Sequence, residues 1–151
     1  MKILMVCLGN ICRSPIAEGI MQHKIRKNNL NWEVASCGTG SWHVGELADN
    51  GARKIMQKKN MDISQHRAKQ FHYTFFNDYD LILAMDASNY RDLMLQAKDE
   101  SEKNKVRIIM NLVYPEQNIG IPDPYYDHEK YTDVFNMLDA ACDKVIELYS
   151  E

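Results

Sequence analysis

Two short stretches carry residue types that together could move a phosphoryl group. In Cys7-Leu8-Gly9-Asn10-Ile11-Cys12-Arg13-Ser14 a cysteine opens a loop, and an arginine closes it after five intervening residues. The apolar run Ile3 to Val6 leads in and a periodic segment from Pro15 to Ile25 leads out, a pattern of strand, loop and helix. Such a loop turns backbone N–H groups into one small space at the positive end of a helix dipole, where phosphate-sized anions bind. Cationic and N–H donors stabilise a thiolate over a thiol, which makes Cys7 the candidate nucleophile. Arg13 offers a planar fork of donors that can hold two phosphoryl oxygens, a geometry lysine lacks. Leu8, Gly9, Asn10, Ile11, Cys12 and Ser14 are the candidate substrate-binding residues of the loop.

A leaving oxygen needs a proton when its conjugate acid is weak; a tyrosine phenol has a pKa of about 10. Asp123 is the candidate general acid. It lies between Pro122 and Pro124, which restrict the backbone, in a loop from Tyr114 to Tyr131 too long for a simple connector. Taken alone, Pro-Asp-Pro is ordinary turn chemistry, and a cysteine at a strand end is an ordinary small buried residue. The loop residues Gly9, Asn10, Arg13 and Ser14 tip both readings toward chemistry.

The elements that must position these residues follow from periodicity. A first helix should run over the Pro15 to Ile25 segment, with Ser14 or its neighbourhood as N-cap and an end near Asn28-Asn29. Trp32 to Ser36 should be a strand, Gly38 to Ser41 a turn, and Asp49 to Lys59 an amphipathic helix with a basic, solvated face. Ile63 to Asp78 has no pattern. Tyr79 to Ala84 reads as a buried strand, followed by a helix capped by Ser88 and ending near Ala97. Lys98 to Lys105 reads as a solvated connector, Val106 to Met110 as a strand, and a final helix should start at Thr132 or Asp133 and run through Tyr149. Alternating strands and helices predict one α/β domain over residues 1–151, with a parallel sheet covered on both faces and ligands at the carboxyl ends of its strands.

Composition narrows the class further. Of the 151 residues 45% are hydrophobic and 26% charged, as in a soluble globular protein, and the formal net charge is -3. A general binder of nucleic acid or anionic membranes is not expected, so any anion site must be local. No apolar run reaches the roughly 18 residues of a membrane span, and a cytoplasmic location is the expectation. Cysteines 7, 12, 37 and 142 lack metal-site spacing, which predicts free thiols, no metal and no cofactor.

Cys7 to Ser14 with its flanks resembles the active-site loop of the low-molecular-weight protein tyrosine phosphatases. Asp123-Pro124-Tyr125-Tyr126 resembles that family's general-acid loop, and His66 to Phe71 a stretch found after its second helix. The resemblance spans nearly the whole chain and implies a four-stranded parallel sheet flanked by helices. It implies hydrolysis of phosphotyrosine through a phosphocysteine on Cys7, with Asp123 protonating the phenolate and then activating water. It also implies that Ser14 hydrogen-bonds the Cys7 sulfur, that Asn10 ties the loop to Ser36, and that His66 and Asp86 support the loop. Trp42 and Tyr125 would wall the slot for the tyrosine ring, with Tyr126 beside them; both tyrosines are candidate phosphorylation sites. Tyrosine-phosphorylated proteins, a cognate tyrosine kinase and oxyanions are the implied partners of a mostly monomeric protein.

Cys12 would be placed to trap an oxidised Cys7. Cys37, where the family more usually has alanine, would be a second redox partner. A thiol-dependent arsenate reductase would need two further cysteines near the end of the third strand, and Leu83 to Asn89 contains none. A binding module without turnover would not need Cys7, Arg13 and Asp123 together.

Overall fold

The structure, a computed structural model, describes residues 1–150. Its sheet has four parallel strands in the order β2-β1-β3-β4. The central strand β1 (Lys2–Cys7) is apolar from Ile3 to Val6, and none of those four side chains reaches solvent. That is the sequence signature of a strand buried on both faces. Ile3, Met5 and Cys7 point into one layer with α1 (Arg13–Lys27), α2 (Asn50–Lys58) and α6 (Tyr131–Tyr149). Leu4 and Val6 point into the other, with Phe71, Phe76 of the short α3 (Phe75–Asp78) and Leu93 of α4 (Ala87–Gln96). Each aliphatic side chain so enclosed contributes about 1.5–3 kcal/mol.

After β1 the chain builds β2 (Glu33–Gly38) on one side and then β3 (Leu81–Ala84) and β4 (Val106–Ile108) on the other. The reversal of direction opens a crevice at the carboxyl end of β1, and the Cys7 loop occupies it. Among the described residues no helix is long and apolar enough to cross a membrane.

Several boundaries differ from the sequence expectation for local reasons. The N-cap position of α1 is Cys12, with no side-chain cap, and Ser14 lies inside the first turn. Its hydroxyl is drawn toward Cys7 instead of the helix end. Strand β2 runs on to Gly38 because Cys37 and Gly38 still pair with Val6 and Cys7. Asp86, not Ser88, caps α4, accepting from Asn89 N at 2.8 Å. Helix α6 begins at Tyr131, whose ring is held in the core. The charged run after α4 is not wholly solvated: Glu100–Lys103 forms the one-turn helix α5, and Glu102 is buried with Oε1 accepting from Lys98 N at 2.9 Å. A single turn is too short to show a period.

The turn after β2 is pressed against the Cys7 loop. Thr39 N donates to Cys7 O at 2.9 Å and Gly40 N to Leu8 O at 2.8 Å. A Cβ on Gly38 would stand 2.6 Å from Leu8 O and 3.1 Å from Asn10 N, both main-chain atoms that cannot rotate aside. Gly38→Ala is therefore expected to destabilise the fold by about 1–3 kcal/mol, the cost of overpacking a closed site. Urea unfolding would check it; an unchanged midpoint would mean that the loop yields freely.

Candidate active site

The crevice holds a cavity of about 450 Å³ lined by Cys7, Leu8, Gly9, Ile11, Cys12, Arg13, Trp42, His43, Asp123, Tyr125 and Tyr126. At its base Cys7 Sγ accepts from Asn10 N at 3.2 Å and lies 3.0 Å from Ser14 Oγ. Asn10 Nδ2 donates to that hydroxyl at 2.8 Å, so Ser14 keeps its own hydrogen to give. The sulfur is a nearer acceptor for it than the Cys37 carbonyl at 3.4 Å. Two donors thus converge on the Cys7 sulfur. The first turn of α1, free of any side-chain cap, points its N–H groups toward the same space.

Arg13 is 3% exposed. Its Nη1 donates to Asp86 Oδ2 at 2.6 Å and to Ile121 O at 3.1 Å. Both bonds use one nitrogen, which leaves Nη2 and Nε as a fork for two oxygens of an anion. Burial weakens the guanidinium's hold on its proton, but the charges of Cys7, Asp86 and Asp123 outweigh this and its pKa lies above the ordinary value. Arg13 therefore stays cationic at any working pH. Asp123 Oδ2 is 3.8 Å from Arg13 Nη2, and Oδ1 accepts from Tyr125 N at 3.1 Å, an Asx turn that fixes the carboxylate at the cavity mouth.

Asn10 and Ser14, expected to touch substrate, do not line the cavity with their side chains; both are wholly buried behind it. Asn10 has φ 59, a left-handed conformation that asparagine tolerates. Its Nδ2 also donates to Ser36 Oγ at 3.0 Å, and its Oδ1 accepts from Lys69 N at 3.0 Å. Ser36 Oγ donates to Glu18 Oε1 at 2.5 Å. His66 Nε2 donates to Asn10 O at 2.7 Å, which fixes it as a scaffold histidine rather than a base for Cys7. Ser36, His66 and Asp86 thus brace the loop from behind.

The aromatic rim is looser than two closed walls. Trp42 is 71% exposed, Tyr125 36% and Tyr126 93%. Tyr125 and Tyr126 meet edge to face with centroids 4.7 Å apart. The sequence reading missed His43, whose ring stands 5.7 Å from that of Tyr125 with Nδ1 3.1 Å from both carboxylate oxygens of Glu46. It also missed Glu18, Asp49 and Tyr131, none of which sits in a motif. Cys37 faces the opposite layer of the sheet from Cys7, because neighbouring residues of a strand alternate sides, and burial pushes its pKa up. It cannot serve as the redox partner suggested by proximity in sequence to the site.

Asn10 combines two requirements that substitution can separate. Asn10→Gly keeps the left-handed backbone and loses the side-chain bonds, with an expected cost of about 1–3 kcal/mol. Asn10→Ala should cost about 1 kcal/mol more, because alanine resists positive φ. Denaturant midpoints of the two variants would check the order; equal values would locate the whole effect in the side chain.

The sequence profile of the family described as low molecular weight phosphotyrosine protein phosphatase matches residues 2–150. The low molecular weight protein-tyrosine-phosphatase PtpA of Staphylococcus aureus is 35% identical over 146 residues, 96% of this chain and 91% of PtpA. A protein tyrosine phosphatase from Entamoeba histolytica has the same fold with a TM-score of 0.90 at 33% identity, over 97% of this chain and 95% of that one. A drosophila arginine phosphatase superposes with a TM-score of 0.92 at 29% identity, over 100% of this chain and 99% of its own. A profile match over almost every residue, with relatives aligned nearly end to end, leads to one conclusion: the chain belongs to the low molecular weight phosphotyrosine protein phosphatase family.

Proposed function

We propose that residues 1–151 form a phosphatase domain that hydrolyses phosphotyrosine through a phosphocysteine on Cys7, with Asp123 as general acid and then general base. The observation that carries the reading is the meeting of Cys7, the free side of Arg13 and Asp123 around one cavity. The phosphoryl oxygens would lie among the loop N–H groups and the Nη2/Nε fork, which stabilise charge on the equatorial oxygens as phosphorus moves in line to sulfur. Cys7 Sγ forms the S–P bond while the P–O bond to the phenol breaks. Asp123, on the mouth side, gives the leaving oxygen its proton. Water then attacks phosphorus, Asp123 takes the proton back, and the sulfur departs as a thiolate that the Ser14 hydroxyl and Asn10 N–H receive. The steps call for no metal or cofactor.

Selectivity would come from depth and from the walls. Trp42, Tyr125 and the aliphatic side chains of Leu8 and Ile11 suit a flat aryl ring, and a phosphoserine ester would be too short to span rim and sulfur. Tyrosine-phosphorylated proteins are accordingly the substrate class. Because the drosophila relative is an arginine phosphatase, phosphoarginine is the competitor to assay beside phosphotyrosine.

With chelator present, the wild-type protein is expected to turn over para-nitrophenyl phosphate and phosphotyrosine peptides. Cys7→Ser should abolish turnover, and Asp123→Ala should lower kcat/KM on phosphotyrosine by about 10²–10⁴, the usual contribution of a general acid. Faster release of phosphate from phosphoarginine than from phosphotyrosine would reassign the substrate. Phosphopeptide binding without turnover would replace the enzyme by a binding module.

A further inference from the structure

A second hollow lies at the β4 end of the sheet, a groove of about 480 Å³ walled by the start of α4, by β4 and by the loop from Asn111 to Asn118. Ala87, Tyr90 and Arg91 share the helix face that lines it, since residues three and four apart on a helix are neighbours. Arg107, the exposed middle residue of β4, lines it from the sheet. Among the described residues, the ion pairs and side-chain hydrogen bonds of arginine belong to Arg13, Arg53 and Arg67. Arg91 and Arg107 have none. No carboxylate lines the groove either: Asp92, beside Arg91, and Glu116, within the loop, are not among its walls. In a chain of net charge -3 this leaves two uncompensated cations side by side in one hollow.

The loop adds a further donor. Asn118 N donates to Asn111 Oδ1 at 2.8 Å, which fixes that amide, and Asn111 Nδ2 donates to Asn118 Oδ1 at 2.9 Å. Asn118 is thereby oriented with its own Nδ2 unused. The spare capacity of these side chains is mainly donor capacity, because a guanidinium can only donate. A ligand of acceptor oxygens and negative charge fits it.

Shape narrows the ligand. All three residues of β4 line the groove, about 10 Å of extended chain, and the sheet has no strand beyond β4. That length suits an extended peptide better than one small anion. The groove also lies at the same sheet edge as the cavity. Ala87 directly follows Asp86, which holds Arg13, and the loop leads from Asn118 to Ile121, whose carbonyl holds Arg13 as well. Only β3 separates β4 from β1, a spacing of about 10 Å that a few residues of extended chain can bridge.

We propose that this groove docks an extended acidic segment of the phosphorylated protein substrate, with Arg91 and Arg107 taking its carboxylates while the phosphotyrosine enters the cavity. The inference deepens the proposed function by adding a sequence preference, and rests on it for the phosphotyrosine end alone. One exposed ion pair contributes little. A run of acidic residues engages both guanidiniums at once, each able to give a carboxylate two parallel bonds.

The test titrates the full-length Cys7→Ser protein with a fluorescein-labelled oligoglutamate peptide and reads anisotropy at low salt, where exposed charges are least screened. The peptide should bind, and Arg91→Ala/Arg107→Ala should weaken binding at least about tenfold, the effect of losing charge-assisted bonds. Lys54→Ala/Lys58→Ala, which removes two exposed charges from α2, should leave it unchanged. Arg91→Glu/Arg107→Glu should reject oligoglutamate and capture labelled oligolysine, a gain that a merely damaged surface would not give. With Cys7 restored, kcat/KM on an acidic phosphotyrosine peptide relative to its glutamine counterpart should fall about tenfold in the alanine pair. Unchanged oligoglutamate binding in that pair would put the peptide elsewhere and overturn the proposal. An equal loss in the lysine pair would do the same, as would inorganic phosphate displacing the peptide at equal concentration. The titration involves no turnover, so a protein inactive on phosphotyrosine peptides would overturn the proposed function and leave the acidic groove standing.

Discussion

The site depends on one residue in an unfavourable conformation. Asn10 turns the chain left-handed in the middle of the loop, and this brings its own N–H onto Cys7 Sγ. An L-residue resists that region of φ by about 1–2 kcal/mol. The opposing force is local and fully buried: two amide donors on Ser14 and Ser36, one acceptor on Lys69 N, and a carbonyl taken by His66. With every polar atom of the side chain engaged, the alternative of relaxing the backbone would strand several groups without partners, each at about 1–3 kcal/mol. The strain is held because it is the cheaper arrangement.

Charge is handled in the same economical way. The chain is net negative, yet the loop gathers an arginine and a helix start with no acidic residue in its first turn. Asp86 prevents Arg13 from collapsing onto Asp123 or swinging away: Oδ2 holds Nη1 while Oδ1 caps α4. One carboxylate therefore fixes both the cation on α1 and the start of α4. The remaining donors of Arg13 face the cavity because the other side is already occupied.

Much of this was legible in the sequence. The Cys7 loop, Arg13 and Asp123 announced themselves by spacing, and the two central strands β1 and β3 by apolar runs, because burial on both faces of a parallel sheet writes itself into every residue of the run. The network behind the loop was legible only by resemblance. Ser36, His66 and Asp86 lie in stretches whose patterns say strand, irregular and turn, and nothing local marks them as neighbours of residue 10 or 13. Tyr131, Asp49 and His43 were not legible at all. Asp49 looked like a helix start, which it is, and the phenol it holds comes from a residue 82 positions away. Short shifts such as Asp86 for Ser88 as cap arise because two nearby polar residues satisfy the same pattern and tertiary contacts choose between them.

Arg13 is anchored to Ile121 O, 108 residues further along the chain. Synthesis on a ribosome runs from the amino end, so the Cys7 loop emerges early, long before the carbonyl that steadies its arginine and the carboxylate at position 123. A nascent chain can form β1 and α1 and still lack an oriented guanidinium. Competence arrives only once residues 121 to 123 have been added, and a chain that stops short of them has no finished pocket.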